Sequence, residues 1–118
     1  MHAEHARMHV RLRYPDDARP RLILDDDEFE VVDLSERGVR YRQGRGPAPA
    51  VGRKLEGILC LARGETLPIR GSVVRVLRSE AGAAPGALEV AAHLTEVGIP
   101  HRVIAAERQA IGAHHAEH

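Results

Sequence analysis

Short β-branched runs separated by turn signals dominate this sequence. "RLIL" (21–24), "EFEVVDLS" (28–35) and the alternating stretch from Val39 to Arg42 come first, and runs at 54–62, 65–78 and 87–97 follow. Apolar and polar residues that alternate with a period of two are typical of strands with one buried face. Gly, Pro and Asp clusters interrupt these runs and indicate turns. Six such strands predict an all-β fold, a small antiparallel β-barrel.

The C-terminal region predicts a single helix, from about Pro100 to about Ile111. Proline suits the first turn of a helix, and Gly112 is interpreted as the stop signal. Val103, Ala106 and Ala110 form an apolar stripe that can pack across a barrel mouth. The helix is expected to act as a lid or an interaction face.

The length of 118 residues predicts one domain with one core. Residues 1–20 mix His, Arg, Asp and Pro without periodicity, which predicts a flexible N-terminal arm. Residues 21–112 then hold the barrel and the C-terminal helix. Residues 113–118 predict a disordered, His-rich tail.

Charge and composition argue against nucleic acids and membranes as binding partners. The 17 basic and 17 acidic residues cancel, so no overall positive field attracts DNA or RNA, and aromatic residues for base stacking amount to 3%. No run of 18 apolar residues predicts membrane insertion, and the N-terminus lacks a signal-peptide core. The lone cysteine, Cys60, reads as a small apolar strand residue. We therefore expect a cytoplasmic protein, with a homodimer left open.

The sequence gives little support for a metal site or a catalytic site. The acidic run "DDDE" (25–28) lacks the glycine and the distal glutamate of a helix-loop-helix calcium site, so it predicts a solvated turn. No histidine neighbours Ser35 to serve as a base, and we expect neither an enzyme nor a bound cofactor. The terminal histidines lie in predicted tails and are not expected to form a metal site; they are His2, His5, His9, His114, His115 and His118.

Two short motifs stand apart from the strand pattern. "RMHVR" places Arg7 and Arg11 in the arm, and "DLSERG" places Asp33, Ser35 and Gly38 at the end of a strand. In this order they resemble the R-x-x-x-R and D-x-S-x-x-G motifs of the PilZ domain, a bacterial receptor module for the second messenger cyclic di-GMP. "RLRYP", "GSVVRV" and "IPHRVIAAERQAI" also resemble family counterparts, so the resemblance extends from about Arg7 to Ile111.

The resemblance implies a PilZ-like barrel that binds cyclic di-GMP. Arg7 and Arg11 would clamp the ligand, because guanidinium groups can bond phosphate oxygens and guanine O6 and N7. Asp33 would accept from the N1 and N2 donors of guanine, and Ser35 would donate to a phosphate oxygen. Gly38 would allow close backbone approach or a positive φ.

Alternate residues of a strand point to the same face, so Asp33 and Ser35 should project together. Arg13, Arg37 and Arg40 are weaker candidates for ligand contact. Ala6 stands where many relatives carry a further arginine, which leaves ligand affinity and stoichiometry open.

Two functions follow. In the first, ligand binding orders the arm against the barrel and creates a surface for a downstream protein partner. In the second, the chain is a degenerate PilZ-like module that makes protein contacts without binding the nucleotide. Asp33 and Ser35 would then merely satisfy backbone donors near Gly38.

Overall fold

The computed structural model describes residues 11–15, 18–44, 47–78, 87–95 and 98–116, with helix side chains as far as Gly112. These residues form strands and one long helix. The strands are β1 (Leu12–Arg13), β2 (Arg21–Leu24), β3 (Asp27–Ser35), β4 (Gly38–Gln43), β5 (Lys54–Cys60), β6 (Thr66–Arg78) and β7 (Leu88–Leu94), and the helix is α1 (His101–Ala116).

The sheet closes on itself. Its strands follow the order β3–β2–β5–β6–β7–β4, and β4 pairs back with β3, always antiparallel. The two-residue strand β1 lies outside this cycle and pairs with β3. The prediction of a six-stranded antiparallel barrel with a C-terminal helix is therefore confirmed, with β1 as an extra strand.

The two longest strands form the corners of the barrel. β3 pairs with β2 through residues 27–30 and with β4 through residues 30–35. Likewise β6 pairs with β5 through residues 66–72 and with β7 through residues 71–78. Each carries a register shift near this change of partner, between Val31 and Asp33 in β3 and between Val73 and Arg75 in β6. Such bulges bend a strand and let it pass from one sheet to the next.

Between these corners lies one continuous outer surface, which we call the β4–β7 face. It comprises β1, the second half of β3, β4, β7 and the second half of β6. On the opposite, inner side of the same strands, directly paired residues pack in the core; they are Leu12, Leu34, Val39, Ala92 and Val73. Because the next residue along a strand points to the other side, their neighbours project outward from the barrel.

The beginning of the chain's described part belongs to the barrel. Leu12 and Tyr14 are buried in the core, and the Tyr14 N–H donates to the Val32 carbonyl at 3.0 Å. These residues fall within the predicted arm, 1–20, so the barrel begins earlier than the sequence indicated. Residues 1–10 lie outside the described part.

The helix is longer than predicted. It begins at His101 and continues through Gly112 to Ala116, so the stop predicted at Gly112 is wrong, as is the start of a disordered tail at residue 113. A glycine inside a helix costs about 1 kcal/mol relative to alanine, which weakens a helix without ending it. Within the described ranges, no helix has the length and apolar character needed to cross a membrane.

A buried carboxylate fastens α1 to the barrel. Glu107 is 0% exposed, yet it accepts three hydrogen bonds, from the Tyr14 hydroxyl (2.8 Å), the Ala62 N–H (3.3 Å) and Arg63 Nε (3.0 Å). These donors come from the N-terminal segment and from the β5–β6 turn. Burial, and then the hydrogen bond to Glu107, raise the pKa of Tyr14. The network thus ties three separate parts of the chain together.

We predict that Tyr14→Phe lowers the free energy of unfolding by about 1.5–3 kcal/mol, because it removes a buried hydrogen bond to a charged acceptor. Denaturant unfolding measures the change. Tyr41→Phe is the matched control, since Tyr41 is equally buried but its hydroxyl makes no hydrogen bond within the described ranges. Equal losses in the two variants would contradict a special role for the Tyr14–Glu107 bond.

Candidate functional site

Charged side chains line up across the β4–β7 face. Arg13 of β1 pairs with Asp33 of β3, Asp33 pairs with Arg40 of β4, and Arg40 pairs with Ala91 of β7. Ala91 in turn pairs with Arg75 of β6. Directly paired residues share a face, so this row sets one carboxylate between two guanidinium groups on the outside of the barrel.

Asp33 is buried although it faces outward, because neighbouring side chains cover it. The residue is 4% exposed. Arg11 Nε lies 3.8 Å from its Oδ1, and Arg40 Nη1 lies 3.7 Å from its Oδ2. Both distances are too long for hydrogen bonds, and Oδ2 has no hydrogen-bond partner within the described part of the chain. The carboxylate therefore has charged neighbours but an open acceptor.

Burial governs the ionisation of this group. It raises the pKa of Asp33 above its ordinary value, while the positive charges of Arg40, Arg11 and Arg13 pull the pKa down without cancelling the effect. A hydrogen-bond donor brought to Oδ2 would stabilise the ionised form. Such a donor is what the site lacks.

The arginines around Asp33 differ in exposure and in their contacts. The Arg11 side chain is 60% exposed and makes no hydrogen bond in the part of the chain described, so its guanidinium fork is available to a ligand. Arg40 is mostly covered and lies between two acids, with its Nη1 3.9 Å from Glu89 Oε1. Glu89 also lies 3.9 Å from Arg42. This alternation of charges holds Arg40 beside Asp33.

The turn after β3 supplies the rest of the predicted motif. Ser35 pairs with Gly38, which pairs with His93 of β7, so the three share the outer face. Gly38 does not adopt a positive φ, and a Cβ there would meet Ser35 Oγ and the Ala92 carbonyl oxygen at 3.4 Å, an ordinary contact. The left-handed conformation considered for Gly38 is therefore wrong. Its missing side chain keeps the floor of the face open.

The same turn is held from behind by the β7–α1 connection. The Ile99 N–H donates to the Glu36 carbonyl at 2.8 Å, and His101 Nδ1 lies 2.9 Å from Glu36 Oε2. A Cβ on Gly98 would lie 2.3 Å from that carbonyl oxygen, so only glycine permits this approach. The turn and the start of α1 are thus in direct contact.

An open cleft of about 270 Å³ lies over this region. It brings together six of the predicted residues, Arg11, Asp33, Ser35, Arg37, Gly38 and Arg40. Arg13 faces Asp33 from β1 without lining the cleft, and Arg7 lies outside the described residues. A larger groove of about 620 Å³ borders β5 and β6, but its Glu56 and Arg70 already pair at 2.8 Å. The smaller cleft is the stronger candidate because it contains the open acceptor.

Six lining or supporting residues were not among the predicted site residues: Val39, Val74, Ala91, Ala92 and His93 line the cleft, and Glu89 supports Arg40. Alternation along β7 places Glu89 and His93 on the outer side, so the sequence contained a signal for those two. Val74 needs the bulge in β6, which no sequence pattern marked. Among the described residues, no group of three or more His, Cys, Asp and Glu could hold a metal ion.

Comparisons with known proteins support the fold. No family model matches the sequence, and no curated protein matches it. The structure is similar to that of the Bacillus subtilis inhibitor of motility MotI/DgrA, with a TM-score of 0.62 and 17% sequence identity. The match covers 89% of this chain and 46% of that one, so this chain spans about half the length of that protein. The likeness supports the barrel-and-helix fold that the resemblance to PilZ domains implies.

We predict that Asp33→Asn raises the free energy of unfolding at neutral pH by on the order of 1 kcal/mol, the low end of the cost of a buried unsatisfied group. Because burial raises the pKa of Asp33, the folded protein binds its proton more readily than the unfolded chain does. The ionised group therefore opposes folding above that pKa, and this penalty disappears as the pH falls.

Urea unfolding of the parent protein and of Asp33→Asn at several pH values measures the difference in the free energy of unfolding. The advantage of the variant should be largest near neutral pH and should vanish below the ordinary Asp value of 3.8. Glu89→Gln offers a comparison, because Glu89 is only partly buried. A variant less stable than the parent protein at pH 7 would show that Asp33 holds the fold together.

Proposed function

We propose that this chain is a receptor for cyclic di-GMP that acts as an adaptor, without catalysing a reaction. The observation that carries the proposal is a covered carboxylate with an open acceptor, surrounded by arginines. Two of these residues belong to the motifs, Arg11 to R-x-x-x-R and Asp33 to D-x-S-x-x-G. The likeness to an inhibitor of motility is consistent with a regulatory role.

Guanine supplies the donors that Asp33 lacks. A carboxylate can accept two parallel hydrogen bonds, and the N1 and N2 groups of guanine present two adjacent donors. Adenine presents no such pair on the same edge. Because Asp33 is almost fully covered, a bond formed there replaces little water and is worth more than one on an open surface.

The cations can bind the phosphodiesters and the outer edge of a base. Arg11 is exposed enough to turn toward a ligand, and Arg37 projects from the turn that carries Ser35. A guanidinium fork can bond phosphate oxygens or guanine O6 and N7, and the Ser35 hydroxyl can donate to a phosphate. Arg7 would add a second fork.

Two connections lead from the site to α1. Arg11 lies three residues before Tyr14, whose hydroxyl bonds Glu107 of the helix. On the other side, Glu36 of the β3–β4 turn contacts Ile99 and His101. A ligand that moves both motifs would therefore act on both ends of the same helix–barrel contact. We propose that the N-terminal segment and α1 together present the surface that a downstream protein recognises.

Binding of cyclic di-GMP to the full chain, measured by titration calorimetry, tests the receptor function. Arg11→Ala should weaken binding about 5- to 150-fold, the range expected for a lost bidentate contact, with little change in the unfolding midpoint. Arg21→Ala is the matched control, because Arg21 is exposed on β2 and pairs with Glu28. Cyclic di-AMP should bind weakly to the parent protein. Failure of the parent protein to bind cyclic di-GMP at low salt would favour the degenerate adaptor.

The pH dependence of binding tests the role of Asp33 separately. The ionised carboxylate accepts from guanine, and burial raises its pKa in the free protein. Affinity should therefore fall as the pH is lowered through that pKa, and binding at a pH near or below that pKa should release a proton to the buffer. Asp33→Asn should bind weakly without this pH dependence. An affinity that stays constant between pH 7 and pH 4 would argue against a bond to Asp33.

A further inference from the structure

The bulge in β6 gives the cleft a second wall. Val73 pairs with Ala92 in the core, and Arg75 pairs with Ala91 on the outer face, so Val74 is the extra residue between them. Val74 lines the cleft and is 52% exposed, so its apolar side chain is accessible to a ligand. Bulges often redirect a side chain in this way beside functional sites.

This second wall consists of the apolar Val74 and two polar residues close to it, Arg75 and His93. Arg75 follows Val74 on the same face and makes no ion pair within the part of the chain described. His93 of β7 pairs with Ser72 and lines the cleft together with Val74, whereas Arg75 lies next to the cleft lining. Between this wall and the Asp33 side lie Arg40, Ala91 and Gly38. Ala91 has a small side chain and Gly38 has none, so this part of the cleft is open.

The separation of the two walls fits a ligand with two halves. Asp33 lies on β3 and Val74 on β6, with β4 and β7 between them. Three strand spacings of 4.7–4.9 Å amount to about 14 Å along the sheet, more than one nucleobase covers. A base held at Asp33 would therefore leave the far wall to the other half of a dinucleotide.

We infer that Val74 packs against the face of the second base of a cyclic dinucleotide, with Arg75 and His93 beside it for phosphate or base edges. This inference rests on the proposed function and assigns to this chain a specificity wall outside the two motifs. An apolar contact reads the face of a base and not its hydrogen-bonding edge. The Asp33 side would then set the requirement for guanine, and the Val74 side the requirement for a second base.

Charge substitution at Val74 tests the assignment. Val74→Glu places a carboxylate where the dinucleotide must lie and should weaken cyclic di-GMP binding about tenfold or more. Val74→Ala should weaken it about three- to tenfold through lost apolar contact. Ile58→Glu is the matched control, since Ile58 is a β-branched side chain 40% exposed on β5 that does not line the cleft, and it should leave affinity unchanged.

Methyl NMR provides a readout that does not depend on affinity. Addition of cyclic di-GMP should shift the Val74 methyl resonances, because they would lie over an aromatic ring, and should leave those of Ile58 in place. If Val74→Glu binds cyclic di-GMP as tightly as the parent protein does, the proposed contact between Val74 and the second base is wrong, while the receptor function is unaffected. If the parent protein does not bind at all, both the proposed function and this inference fail.

Discussion

The two bulges in β3 and β6 are the constraint on which this fold depends. Each lies close to the point where a long strand changes partner, so together they let a single sheet bend twice and close. The same irregularities place Asp33 and Val74 on the outer face of the sheet between the corners. Closure of the barrel and construction of the cleft therefore have a common cause. A regular strand at either position could not satisfy both.

The helix is attached to this barrel through polar contacts as well as apolar ones. Val103 and Ile104 pack in the core, but Glu107 also bonds the N-terminal segment and the β5–β6 turn. Hydrogen bonds require specific geometry, whereas apolar contacts tolerate sliding. The helix consequently has a defined position, and a displacement of the N-terminal segment must either carry the helix with it or break a buried bond.

Much of the fold can be predicted from the sequence because each strand carries its own alternation. The run 21–24 matches β2, and Leu88, Val90, Ala92 and Leu94 face the core as alternation predicts. Alternation also predicts correctly that Asp33 and Ser35 share a face. The burial of Asp33 could not be predicted, since it depends on arginines from other strands. The burial of Glu107 could be predicted, because it lies four residues after Val103 and so falls in the apolar stripe of the helix. Its hydrogen-bond donors could not be predicted, because they lie far away in sequence.

Two buried carboxylates in this chain show why the cleft is unlike the core. Glu107 receives three hydrogen bonds, so the cost of removing it from water is offset within the fold. Asp33 is covered almost as well, but Oδ2 receives none in the described structure, and its nearest cations stay beyond hydrogen-bond distance. A carboxylate that stabilises the core is expected to receive hydrogen bonds from the fold, as Glu107 does. On the outer face, the ligand of the proposed receptor would bring the donor that Oδ2 lacks, and the cost of burying Asp33 would then be offset on binding.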